Sequence, residues 1–135
     1  MSSPVSVDPA QVRRIVDKAR AFVDAFEQLR EPAQAAGVMD WFEFHRRSIQ
    51  RQWDELRGVV SHADAHRFLP VVDAIIGNGV PLEQGPPGVS VDAVNAALDA
   101  LASDRIELVR AVIGPDRHPT PEGYEQIESA LRTIA

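Results

Sequence analysis

Residues 8–29, DPAQVRRIVDKARAFVDAFEQL, decide how the chain is read. Asp8-Pro9 offers a side-chain acceptor for a helix N-cap, followed by proline in the first turn, where a missing amide costs nothing. Val12, Ile15, Val16, Ala19, Phe22, Val23, Phe26 and Leu29 then recur in steps of three and four, which places them on one face of a helix. Arg13, Asp17, Arg20 and Asp24 fall on the other side, with opposite charges four residues apart. Pro32 and Gly37 mark the end of this element.

The same reading continues to the C-terminus. A second helix is expected from Asp40, whose carboxylate would cap Trp41-Phe42-Glu43; its stripe is Phe42, His45, Ile49, Trp53, Leu56 and Val60. Ser61 and Asp64 resemble a capping box for a third helix, with Ala65, Phe68, Leu69, Val72, Ile75 and Ile76 facing inward. Pro70 lies inside it and removes the amide that would reach the carbonyl of His66. The expectation is a kink, or two short helices meeting at Leu69. Residues 78–89, NGVPLEQGPPGV, form the one long Pro/Gly-rich loop. Ser90 is expected to cap the next helix, with Val89 and Val94 as a hydrophobic staple. Val94, Ala97, Leu98 and Leu101 carry its face, and Ile106, Val109, Val112 and Ile113 extend the apolar content, so 91–113 reads as one helix or two. Thr120-Pro121-Glu122 opens a last helix with the stripe Tyr124, Ile127, Leu131 and Ile134. No segment alternates with a period of two, so no sheet is expected.

The fold class is therefore all-α: a compact bundle of five or six amphipathic helices, with residues 1–7 as a flexible N-terminus and 8–135 as a single helical domain. A length of 135 residues, 44% hydrophobic and 25% charged, suits one domain with its own core. Cysteine is absent, which excludes disulfides, thiolate metal sites and cysteine nucleophiles. The N-terminus lacks a signal-peptide pattern, and no apolar run approaches the ~20 residues of a membrane span. A cytoplasmic protein is expected, and the Ala-, Val-, Arg- and Asp-rich composition suggests a bacterial source with a GC-rich genome. The net charge of −6 argues against non-specific binding to nucleic acid or anionic membranes.

Four groups of residues bear on chemistry. His62 and His66, four apart, would share one side of a helix and could hold a metal if a third ligand such as Asp73 or Glu55 arrived. They lack the glutamate that gives H-E-x-x-H its catalytic sense. Arg57-Gly58-Val59-Val60-Ser61-His62 matches R-x4-H and resembles the active-site motif of the HEPN family of small helical ribonucleases. That resemblance implies Arg57 and His62 acting on a scissile phosphate across a dimer interface, with glycine standing where a polar residue often follows the arginine. Asp116-Arg117-His118-Pro119-Thr120-Pro121-Glu122-Gly123-Tyr124 is similar to the C-terminal block of SGNH hydrolases. The aspartate is two rather than three positions before the histidine, and neither the Gly-Asp-Ser nucleophile segment nor the strands are present, so a helix cap accounts for these letters. Finally, Trp41, Phe42, Phe44, His45, Arg46, Arg47, Arg51 and Trp53 mix aromatic and basic residues, a pattern that can stack bases and contact phosphate. Glu43, Asp54 and Glu55 offset that charge, and a core face with a solvated arginine flank is the favoured reading.

No catalytic constellation emerges, and no cofactor is expected. The sequence points to a small helical module that binds a protein partner or a second copy of itself, its site sought where Trp41, Phe44, His45 and Arg46 approach the Pro/Gly loop. The alternative is a helical small-molecule or metal-binding protein, HEPN-like ribonuclease included, using Arg57, His62 and His66 with Asp73 as a further metal ligand.

Overall fold

A computed structural model describes residues 7–77, 82, 84–115 and 117–134. Within them the chain forms six α-helices: α1 (Pro9–Glu27), α2 (Arg30–Ala35), α3 (Met39–Ser61), α4 (Ala65–Gly77), α5 (Asp92–Val112) and α6 (Pro121–Ile134). No strand occurs among the described residues, only an isolated antiparallel bridge between Ile113 and Pro119. The protein is an all-α bundle.

α1 begins as its sequence dictates. Asp8 accepts a hydrogen bond from the amide of Ala10, and the side chain of Gln11 accepts one from the amide of Asp8, closing a capping box. The apolar stripe runs to Leu29, but the helix stops at Glu27 and a separate α2 follows. Pro32 accounts for the break: it has no amide for the carbonyl of Gln28, and its ring would collide with that carbonyl in a continuous helix. Two other expected caps are displaced. α3 starts at Met39 with Val38 at the N-cap, so Asp40 sits in the first turn and caps nothing. α5 starts at Asp92 with Val91 at the N-cap, and Ser90 lies outside it. Thr120, by contrast, caps α6 as expected, its hydroxyl accepting from the amide of Gly123 at 3.0 Å.

Ser61 is the last residue of α3 and not the cap of α4. The amide of Asp64 bonds the carbonyl of Val59, and that of Ala63 bonds the carbonyl of Val60. This crossed pair is a Schellman closure, with Ala63 left-handed at φ 49. α2 ends the same way at Gly37, φ 72, with bonds from Val38 to Ala33 and from Gly37 to Gln34. α4 continues through Pro70 as one helix, so the two-helix expectation for this segment does not hold. α5 is also a single helix, with Ser103 and Asp104 in its interior. Val7 is not loose: its amide donates to the side chain of Gln126 on α6. Residues 1–6, 78–81 and 83 of the expected flexible N-terminus and loop lie outside the described residues.

One core joins the helices. Val12, Ile15, Phe22 and Phe26 of α1, Phe42 and Leu56 of α3, Phe68 and Val72 of α4, Val94 and Leu108 of α5, and Ile127 and Leu131 of α6 belong to a single buried cluster. Leu82 of the Pro/Gly loop is fully buried in it as well. No polar or charged residue is buried among the described residues. α1 packs on α3, α5 and α6, and α6 also meets α3 and α4, so the first and last helices hold the middle of the bundle. Charge works at its edges: Lys18 of α1 reaches Asp104 of α5 at 2.7 Å, and Arg105 of α5 reaches Asp73 of α4 at 2.7 Å.

Candidate functional site

α3 is amphipathic over six turns, and its buried side is Phe42, Ile49, Trp53, Leu56 and Val59. Residues one hundred degrees apart on the wheel place Asp40, Phe44, Arg47 and Arg51 opposite that side, with Ser48 on the flank. These residues and Glu43 line a shallow groove of about 480 Å³. Phe44 is 72% exposed, more than any other large apolar side chain among the described residues. Ile106 and Ile113 follow well behind.

The four residues expected at an interaction site divide here. Trp41 and His45 are half-buried and close the inward flank. Trp41 lies 5.9 Å from Phe26, and His45 meets Trp41 and Phe44 edge-on, each at 5.3 Å. Phe26 in turn stacks flat on Phe42 at 5.2 Å. Desolvation holds the His45 imidazole below the ordinary histidine range, favouring its neutral form. Arg46 is committed to Glu43 at 3.0 Å. Glu43 also receives Arg30 at 3.3 Å, while the Arg30 guanidinium stands 4.9 Å above the Phe42 ring. The Arg46 hydrogen bond, reinforced by the charges of Arg46, Arg30 and Arg47, keeps the Glu43 carboxyl below the usual carboxylate range. Only Phe44 of the four presents its side chain outward. None of the described residues of the Pro/Gly loop lines this groove; its Gly88 packs toward Ala36 at the end of α2.

Asp40, Arg47 and Arg51 form no ion pair within the chain among the described residues. The sequence reads Arg47 and Arg51 as a solvated flank or, failing that, as nucleic-acid contacts, and Asp40 as a helix cap, so none of the three is expected in the interaction site. The i, i+4, i+7, i+8, i+11 spacing of Asp40, Phe44, Arg47, Ser48 and Arg51 was the available signal.

The histidine and arginine candidates are dispersed. His62 is the C-cap of α3, and its Nδ1 lies 2.9 Å from the Gly58 carbonyl, as a donor in that tautomer. His66 belongs to α4, across the left-handed turn at Ala63, so the two imidazoles do not share a helix face. Asp73 is engaged by Arg105. Among the described residues no three His, Asp or Glu side chains gather where they could hold a metal, so His62, His66 and Asp73 do not form the expected ligand set. Arg57 points to solvent near Asp54 and lines a groove with Trp53, Val60 and Arg20 that does not include His62.

His66 finds a different neighbour. Its ring lies 4.0 Å from that of Tyr124, tilted by 31°. Both line a cleft of about 220 Å³ between α4, α5 and the segment before α6, with Asp73, Arg105 and Arg117. A wider depression of about 520 Å³ shares His66 and Tyr124 and adds Asp64, Glu125 and Glu128. Pairing His66 with Tyr124 requires the α4–α6 contact, which no spacing within one segment reveals.

No family model matches the chain, and no curated protein or solved structure matches it either. No helix among the described residues is long and apolar enough to cross a membrane.

Proposed function

We propose that the chain is a helical module that binds a protein partner through the outer face of α3, with Phe44 as the anchor. The exposure of Phe44 carries this reading. A phenylalanine left 72% exposed by an otherwise closed core is a large apolar surface rimmed by charge, the composition of an interface centre and its polar rim. Half-buried Trp41 and His45 support its inner edge, so the ring stands on a packed base. Such preorganisation lowers the entropic cost of binding.

The test is a photo-reactive phenylalanine analogue at position 44, with a control at Ala96 on the exposed side of α5. Discrete protein adducts from position 44 and none from position 96, formed in cells, are expected. Equal labelling from both positions would refute the reading.

A second reading, small-molecule binding, is favoured by the His66–Tyr124 cleft, which combines two aromatic rings with Arg105, Arg117 and Asp73. Tyr124 is the lone tyrosine of the chain. Its ring resonances should shift on titration with a ligand of this site and stay still in His66→Ala. A metabolite-library screen without any Tyr124 perturbation would dismiss this reading.

A further inference from the structure

Resting on the reading that the outer face of α3 binds protein, we infer that its occupant is the same face of a second copy of this chain, the two α3 helices crossing antiparallel about a twofold axis. The charge order along the face carries the inference. From N- to C-terminus the groove presents Asp40 and Glu43, then Phe44, then Arg47, Ser48 and Arg51. Acid precedes the aromatic and base follows it.

Reversing such a stripe produces its complement. In an antiparallel pair with the axis between positions 45 and 46, Asp40 of each copy opposes Arg51 of the other. Phe44 opposes Arg47, and Glu43 opposes Ser48. Each contact occurs twice, as a self-complementary twofold interface requires. At ~1.5 Å rise per residue, the two Phe44 rings are offset by about 4–5 Å along the axis, so they touch each other while each also meets an arginine face-on. Asp40 and Arg51, the outer pair, form no ion pair inside their own chain among the described residues; Arg47 acts on Glu43 through its charge alone, and Glu43 is already held by Arg30 and Arg46.

Glu55 disfavours the register shifted one turn towards the C-terminus. It lies on the same face one turn beyond Arg51, and an axis moved to between 47 and 48 would set Asp40 against Glu55. Like charges then meet twice, and the alternative register is repelled. The face also argues against an unrelated acidic or basic partner, since either would match one half of the stripe and oppose the other half.

About three turns of one helix offer less than the roughly 800 Å² per partner of a standard interface. The dimer is therefore weak, with dissociation expected in the range of about ten micromolar to a millimolar. Sedimentation equilibrium of the full chain over that range tests it. Wild type should pass from monomer to dimer. Asp40→Arg and Arg51→Asp should each weaken dimerisation about tenfold or more, their combination should restore it to within a few-fold of wild type, and Phe44→Ser should abolish it. Melting curves matching wild type at low concentration show that the variants fold. A chain that stays monomeric to a millimolar, or a charge-swapped double variant no better than the singles, overturns the inference. Position-44 adducts to other proteins from a monomeric chain would remove the self-docking and leave the interaction reading standing. A dimer indifferent to Phe44→Ser, together with no selective adducts, would remove both.

Discussion

Gly123, the third residue of α6, is hemmed in by α5. A Cβ there would lie 2.8 Å from the Cβ of Val112 and 3.2 Å from its carbonyl oxygen. Neither atom is the free end of a side chain, so the helices would have to separate. Gly123→Ala should cost about 1–3 kcal/mol, read as a lowered denaturation midpoint. Gly58, near the end of α3, meets nothing within 4 Å at the same position. Gly58→Ala should be neutral or stabilise by up to ~1 kcal/mol, because it only removes unfolded-chain freedom. His45 supplies a pH dependence. Its folded value is depressed by desolvation, so below the ordinary histidine value of about 6.5 the unfolded chain binds the proton more readily. The neutral ring's contribution is thus complete above that value and is lost as pH falls from there through the folded one. Stability of wild type should decline across that window, and His45→Gln should flatten the decline. Because the ring is only half-buried, the effect is a fraction of a full desolvation shift.

α3 and α2 end in the same hydrogen-bonded closure, but one uses Gly37 and the other Ala63. An alanine held left-handed carries a steric cost that glycine does not. Ala63→Gly should therefore stabilise the chain by about 0.5–1 kcal/mol in urea titration, and a loss of stability would mean that the turn is not held as described. The left-handed alanine also explains what the sequence hid. Helices with a strong stripe and a proline-assisted start, α1 and α6, were legible from their letters because local chemistry alone sets them. Ser61, Asp40 and Ser90 had the right chemistry for caps, but the helix boundaries shifted by one to three residues under tertiary packing. Alanine gave no sign of a C-terminal stop, so His62 and His66 read as one helical pair. On α5 the buried line runs through Leu98, Leu101, Leu108 and Val112 and crosses Arg105, while Ile106 faces water. There hydrophobicity alone pointed to Ile106, which the helix turns outward. Phe44 could be picked out as a candidate from its aromatic and basic setting, yet its exposure depended on which side of α3 met α1, α2, α4 and α6.

A single buried cluster draws on all six helices, with Leu29 and Ala33 joining α2 to it. No subset of helices has a core of its own, so unfolding should be one transition. Calorimetric and van't Hoff enthalpies should agree across the chain, and a ratio well above one would reveal an independently melting unit. The tether from Val7 to Gln126 has a separate consequence for how the chain could be rewired. It fixes the start of α1 beside the middle of α6, and Ile134 lies only eight residues on, about 12 Å along the helix. A bridge of some six residues from Ile134 to Val7 spans that gap. The backbone can then be opened at the exposed Pro87-Gly88 turn instead, giving a circular permutant that begins with α5 and keeps every helix of the bundle in place.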